Sequence, residues 1–327
     1  MTRGVLPSQI TTMHSVVREL TDVVRSRLDA TRLERPDDFE RVFSGLWAMM
    51  TAGLDKTGMQ PYATRLNRAL AGCFVPVTID GETVRLDLGD GIARLGLMRS
   101  SQEHQLAERI LRHVRPGQVA FDVGAHTGFY TLYLAARVGA TGGVYAFDPS
   151  PGNVEVLRNY VEGHGFADRV RVEQAALSDE VGEADMFLYG HDDDADPKYA
   201  EETGELVSLV PSERTSGLAY RVALETLDHY AAARGLHAVD FIKIDTEGAE
   251  HHVLAGGRSL LSRSPAPIVV VELHPTVLAA EGRSADEVLE ALRALDLRLY
   301  DPRAELAPVR RFEDLSGTTV LAARRLS

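Results

Sequence analysis

Cysteine is almost missing from this chain. Cys73 stands alone among 327 residues, which excludes an intrachain disulfide and any multi-cysteine metal centre and points to a reducing compartment. Long apolar runs are absent too. No stretch approaches the roughly 20 apolar residues of a membrane helix, and Met1 to Ile10 carries neither the apolar core of a signal peptide nor a lipidation pattern. The expectation is a cytoplasmic protein that neither spans nor anchors to a membrane. Basic charge is in deficit: 35 Lys and Arg face 48 Asp and Glu, a net charge of −13. Such a field repels phosphate backbones, so nucleic acid is not an expected partner. Repeats and low-complexity tracts are lacking as well. What remains, 44% hydrophobic and 25% charged, is an enzyme-sized globule with room for one large domain and an appendage, or for two smaller domains.

The pattern from Ser8 to about Ala71 is helical, with Ile10, Met13, Val16, Val17, Leu20, Val23, Val24 and Leu28 recurring three and four apart. Two further runs follow, around Phe39 to Met50 and Tyr62 to Leu70, separated by Pro36 and by Gly58 to Pro61. Residues 1–73 are expected to form a helical segment that serves as a lid or as a homodimer interface, with residues 74–327 as the main domain. Phe74 to Leu88 changes to period two around Asp80-Gly81, a hairpin signature. After a helix from Ser101 to about His113, apolar runs and helices alternate. The runs are Gln118 to Val123, Gly143 to Phe147, Val170 to Ala176, Val239 to Ile244 and Ile268 to Leu273. The helices are Gly128 to Val138, Asn153 to Glu162, Leu227 to Arg234, Ala249 to Leu261 and Ala285 to Leu295. Alternation of this kind calls for an α/β fold, a mostly parallel sheet with helices on both faces. Arg298 to Tyr300 and Thr318 to Leu321 are expected to close it as an antiparallel pair. Eleven acidic residues crowd Ser178 to Glu205 against one Lys198, which reads as a solvated edge insertion or a flap over the site.

Asp122-Val-Gly124-Ala-His-Thr-Gly128 closes the first strand of the alternating region and opens a helix. Ligands of open α/β sheets sit at such strand-to-helix turns, where glycines allow tight turns and close backbone approach. The next strand ends in Asp148, about 20 positions on, where a carboxylate can accept hydrogen bonds from ribose hydroxyls. A dinucleotide fingerprint has a middle glycine that lets the backbone approach a pyrophosphate. Here Ala125, His126 and Thr127 lie between the two glycines, which favours S-adenosylmethionine, a nucleoside cofactor without phosphate.

These blocks occur in order with Ala176-Leu-Ser-Asp, Phe241-Ile-Lys-Ile-Asp-Thr-Glu-Gly-Ala-Glu and Val269-Val-Val-Glu-Leu-His-Pro. As a set they resemble the FkbM family of S-adenosylmethionine-dependent methyltransferases, over roughly Thr78 to the C-terminus. The resemblance implies a Rossmann-like class I methyltransferase sheet with an antiparallel C-terminal strand, and a reaction on hydroxyl groups of natural products or sugars. It also implies that Asp122, Gly124, His126 and Gly128, with Ala125 and Phe129 beside them, line the methionine and ribose. Asp148 and Pro149 would flank the ribose, and Ala175, Ala176 and Ser178 the adenine. Two positions depart from the family pattern: His126 stands where Asn is usual, and Asp148 where Glu is usual.

Phe241 to His251 is the second informative block. Alternation puts Lys243 and Asp245 on one strand face and Ile242 and Ile244 on the other. A hydroxyl is a poor nucleophile while protonated, so a base or orienting acceptor within reach is useful. Asp245 is the first candidate. His274, after the strand Ile268 to Leu273, is the second, with the reference pKa suited to a base. Glu247 and Lys243 complete the candidate catalytic set. Lys243 and Asp245 as a mere buried ion pair, and Glu250 as a complement to its helix dipole, are the plainer readings; His251 and His252 read as exposed helix residues. Asp245, Glu247, Glu272 and His274 could also ligate a divalent metal, but no dedicated metal spacing is present and a metal-free mechanism is expected. The function expected is O-methylation of a small-molecule acceptor. N-methylation of an amine and a non-catalytic protein that keeps the cofactor fold are the alternatives.

Overall fold

The computed structural model describes residues 74–79, 81–87, 102–189, 207–211 and 215–326. The helical segment expected over 8–71, the dimer interface assigned to it and most of the acidic run after Tyr189 lie outside the described residues. The chain divides into two compact units, Met1–Gln105 and Leu106–Ser327. In the first, β1 (Phe74–Ile79) and β2 (Glu82–Asp87) form the expected antiparallel hairpin, with Ile79 opposite Glu82. Gly81, with φ +89°, sits in its turn.

The second unit follows from α1 (Gln102–Leu111). Its elements are β3 (Val119–Val123), α2 (Phe129–Val138), β4 (Gly143–Asp148), α3 (Pro151–Gly163), β5 (Val170–Gln174) and β6 (Ala176–Leu177). Next come β7 (Gly182–Tyr189), β8 (Val207–Ser208), β9 (Thr215–Glu225), α4 (Leu227–Ala233), β10 (Phe241–Ile244), α5 (Glu250–Gly256) and α6 (Arg258–Arg263). The chain ends with β11 (Ile268–Glu272), α7 (Pro275–Ala280), α8 (Ala285–Arg293), β12 (Arg298–Asp301), β13 (Ala307–Pro308), a short 3-10 turn (Phe312–Asp314) and β14 (Thr319–Ala323). Eight strands make one sheet in the order β13-β12-β14-β11-β10-β3-β4-β5. From β11 to β5 all neighbours are parallel, and β14 runs antiparallel between β11 and β12. This is the Rossmann-like class I methyltransferase sheet expected from the sequence, with its antiparallel C-terminal strand.

The central strands are nearly all apolar because both their faces are covered. On one face Phe121, Phe147, Ile242, Ile244, Val269 and Val271 pack with Leu227, Tyr230, Val253, Leu260 and Leu289 from the helices. Phe121 stacks on Phe147 at 5.9 Å, and Tyr230 meets Phe147 edge-on at 4.7 Å. On the other face α2 lies on β3 and β4, and α3 on β4 and β5. Helix starts are set by side chains that satisfy the first free amides. Ser150 caps α3, Thr226 caps α4, and Ser284 with Glu287 makes a capping box on α8.

Three features differ from the sequence reading. The helix expected over Ala249 to Leu261 is two, broken at Gly257, because a side chain at Gly256 would meet the Ser178 carbonyl at 2.0 Å and one at Gly257 would meet Leu227 at 2.6 Å. The run Val170 to Ala176 divides into β5 and β6, which belong to different sheets. A second sheet, β6-β9-β7-β8, occupies the chain between β5 and α4 around a small core of Ala176, Met186, Val222 and Leu224. The beginning of the acidic run is therefore a strand, β7, in which Glu183 and Asp185 face solvent and meet Arg221 of β9 at 3.3 Å each. No helix among the described residues is long and apolar enough to cross a membrane.

Candidate active site

The turn after β3 is shaped by what its neighbours press against it. Gly124 adopts φ +77°, and a Cβ there would lie 1.8 Å from the Asp245 carbonyl oxygen. Gly128 adopts φ +101°, and a Cβ would meet Leu157 of α3 at 2.2 Å. The glycines thus admit the close approach of the chain's own backbone at Asp245 and of the Leu157 side chain. The amides of Gly124 and Ala125 both donate to the Phe147 carbonyl at 2.9 Å, which binds this turn to the end of β4. His126, non-glycine, holds φ 51°, a conformation that costs about 1–2 kcal/mol and is sustained here by a hydrogen bond from its amide to Asp148 Oδ2 at 2.8 Å.

Asp148 is buried, and its other oxygen accepts from the Ser150 amide at 2.9 Å and from Asn153 Nδ2 at 3.0 Å. A carboxylate offers about four acceptor positions; three are taken, so one remains where two ribose hydroxyls were expected. Asp148 is thus bonded chiefly to its own loop and to the glycine turn. Burial pushes its pKa up, and His126, Asn153 and the amides only partly oppose that. Pro149 follows directly, half-buried. Phe129 opens α2, buried and in ring contact with Tyr130 and Tyr133. Ala175 is half-buried and Ala176 buried in the core of the second sheet. The Ser178 amide donates to the Glu225 carbonyl at 2.8 Å, and its own carbonyl packs on Gly256.

Asp122 is fully buried and accepts from Thr131 Oγ1 at 2.6 Å, while its Oδ1 has no partner among the described residues. Burial pushes its pKa up against the pull of Lys243. Lys243 stands opposite it in the β10–β3 register. The Lys243 ammonium bonds Asp245 Oδ2 at 2.9 Å and lies 4.8 Å from the Tyr130 ring centroid. Burial works against that charge, but Asp245 and Asp122 outweigh it and raise the pKa. For Asp245 burial likewise disfavours the charge, yet Lys243 and His274 hold its carboxyl below the usual range. The expected ion pair is present, and because Asp245 emerges one residue past β10 it also faces the next loop.

That loop holds Glu247 at φ 52°. Ser208 of β8 donates to the Glu247 carbonyl at 2.7 Å, so the second sheet fastens this turn. His274, just past β11, brings Nε2 to 3.5 Å from Glu247 and 3.8 Å from Asp245. Its Nδ1 bonds Glu250 Oε1 at 2.9 Å. Burial opposes an imidazolium, but Glu250, Glu247 and Asp245 outweigh it and push the pKa up to about 9. Glu272 turns away to Thr318. Glu250 is the residue that sequence reasoning undervalued: it is fully buried and orients His274. The signal was its place three residues after Glu247, the first turn of a helix aimed at the same loop. His251 and His252, expected on an exposed face, lie with tilted rings 3.9 Å apart and pair with Glu281 at 3.2 Å and Asp179 at 3.1 Å.

Acidic side chains thus gather at the carboxyl ends of β3, β4 and β10. This donor set suits a ligand with a cationic end and hydroxyl groups and does not suit a pyrophosphate, which fits S-adenosylmethionine. The family "Methyltransferase FkbM domain" matches residues 122–299. The chain is 32% identical over 202 residues to the 31-O-demethyl-FK506 methyltransferase FkbM of Streptomyces tacrolimicus, covering 54% of this chain and 75% of that one. It is 29% identical over 158 residues to the 2-O-methyltransferase NoeI of Sinorhizobium fredii, covering 46% and 61%. It is 27% identical over 252 residues to the AMB antimetabolite synthetase AmbE of Pseudomonas aeruginosa, 66% of this chain but 12% of that much longer protein. With the matched segment running from Asp122 of the glycine turn to Leu299 of β12, the chain belongs to the FkbM family of S-adenosylmethionine-dependent methyltransferases.

Proposed function

We propose that the chain methylates a hydroxyl group on a small-molecule acceptor, a natural product or a sugar, in a reducing cytoplasmic setting. The observation that carries this is the place of Asp245: an ionised carboxylate, fixed by Lys243 at 2.9 Å, on a loop in backbone contact with the glycine turn. Two relatives named as O-methyltransferases support the choice of oxygen. When bound, S-adenosylmethionine supplies an electrophilic methyl group on a sulfonium. The chain's part is to position and to ready the nucleophile. Asp245 accepts the acceptor's O–H and turns a lone pair toward the transfer line. Lys243 keeps that carboxylate ionised. Asp148 holds the cofactor turn in shape through His126.

Calorimetry with S-adenosylhomocysteine and radiolabelled methyl transfer to paired hydroxyl and amine analogues test this. Asp148→Ala should weaken cofactor-product binding about tenfold or more, because it removes three hydrogen bonds that hold the glycine turn, each with a net value of about 0.5–1.5 kcal/mol. Asp245→Asn should leave binding near wild type and remove turnover. Transfer to amines alone would refute oxygen as the acceptor atom, and lost binding in both variants would refute the division of roles.

A further inference from the structure

We propose that Asp245, Glu247 and His274 bind a divalent cation at the acceptor side of the site, an inference that rests on the methyltransferase reading. One ligand atom from each lies within 4.8 Å of the others. The Nε2 distances of 3.5 and 3.8 Å to the two carboxylates are longer than a hydrogen bond, yet suit neighbouring ligands around one ion with bonds of about 2.0–2.2 Å. The set is also built for the task. A histidine that ligates a metal usually donates its other ring nitrogen to a carboxylate, which fixes its tautomer and aim; here Glu250, with no solvent exposure, bonds Nδ1 at 2.9 Å and leaves Nε2 toward the carboxylates. Ser208 secures Glu247, and Lys243 secures Asp245.

A second observation points the same way. Buried polar atoms normally have partners, and those that lack them often mark an absent water or ion. Glu250 Oε2 and Thr246 Oγ1 are both buried without one among the described residues, and both belong to this turn or its helix. Two carboxylates and one imidazole, from three side chains, suit Mn²⁺, Mg²⁺ or Zn²⁺ and leave positions free for water or for oxygens of the acceptor. By withdrawing charge from a bound hydroxyl the ion lowers that group's pKa, so that the hydroxyl proton passes by way of the Asp245 carboxylate to solvent water before the oxygen is methylated.

The test is Mn²⁺ titration of the full chain, free Mn²⁺ being read by electron paramagnetic resonance, with S-adenosylhomocysteine calorimetry alongside. One site is expected. Glu247→Gln should weaken it about tenfold or more while leaving S-adenosylhomocysteine affinity unchanged, and Glu250→Gln should weaken it about 10–100-fold, as loss of an orienting partner does. His251→Ala separates this site from the His251, His252 and Glu281 cluster and should leave it intact. If the Glu247 variant fails to fold, imidazole signals of the wild-type chain decide: Mn²⁺ should broaden His274 before His251 and His252. Mn²⁺ binding that Glu247→Gln leaves unchanged, or no binding at millimolar Mn²⁺, overturns the cation. In that event retained S-adenosylhomocysteine binding leaves the methyltransferase reading standing, whereas loss of both removes the two together.

Discussion

Adding one methyl group at each of three glycines separates backbone strain from steric conflict. Gly124, Gly128 and Gly235 all have φ between +65° and +101°, so alanine at any of them incurs about 1–2 kcal/mol for the left-handed conformation. They differ in what the new Cβ meets. At Gly235 nothing lies within 4 Å. At Gly128 the obstacle is the Leu157 Cδ1 at 2.2 Å, the end of a side chain that can rotate. At Gly124 it is the Asp245 carbonyl oxygen at 1.8 Å, which moves only if the loop after β10 moves. Overpacking of that kind costs about 1–3 kcal/mol more. Gly124→Ala should therefore lose about 2–5 kcal/mol and Gly235→Ala about 1–2, with Gly128→Ala between them. For a unit of this size about 2–4 °C accompany each kcal/mol, so thermal unfolding should drop by about 4–20 °C for Gly124→Ala and by about 2–8 °C for Gly235→Ala. Folded Gly124→Ala protein should also lose affinity for S-adenosylhomocysteine, which Gly235→Ala should keep. Equal melting temperatures for Gly124→Ala and Gly235→Ala would refute the backbone contact on which the site geometry rests.

Two further perturbations address the site's support and the acid stability of the fold. Ser208→Ala removes the bond to the Glu247 carbonyl at 2.7 Å and an acceptor for the Val210 amide at 3.0 Å. It should cost about 1–3 kcal/mol and lower turnover with S-adenosylhomocysteine binding unchanged; unchanged turnover would mean that the second sheet does not set the turn. Asp301 is buried, which opposes its charge, but the amides of Ser316 at 2.7 Å and of Arg303 and Ala304 at 2.7 and 3.2 Å outweigh that and lower its pKa. A lowered folded pKa contributes stability present above the unfolded value of about 3.9 and lost as pH falls through the folded one. Asp301→Asn should therefore destabilise at neutral pH, and its deficit against wild type should shrink below about pH 4. A deficit that does not change with pH in urea titrations would refute the linkage.

The parts of the fold legible in the sequence are those in which one physical signal dominates. Val119 to Val123, Phe241 to Ile244 and Ile268 to Glu272 are short apolar runs because helices cover both faces of their sheet, and caps at Ser150 and Ser284 mark where α3 and α8 begin. The Lys243–Asp245 pair was legible from alternation alone. Glu250 was not, because an acidic residue in a first helical turn has a sufficient electrostatic reason to be there, and only the fold reveals that it is fully buried against His274. The break at Gly257 depends on the approach of Leu227 and Ser178, residues far off in sequence.

The acidic run after Ser178 shows how two signals can mask each other. Counted by charge, Glu183 and Asp185 belong to a solvated flap. Taken by phase, the same residues alternate with Ala184 and Met186, and Met186 is 3% exposed in the core of the second sheet. The partner strand repeats the pattern in step, with Arg221 facing solvent opposite Asp185 and between Tyr220 and Val222, so that one arginine reaches both acids at 3.3 Å. Net charge says nothing of such a pairing, because it depends on which face each side chain takes. The same sheet then supplies Ser208 to the Glu247 turn. A segment whose composition speaks only of solvent therefore contains, in its alternation, part of the sheet that fastens the Glu247 turn.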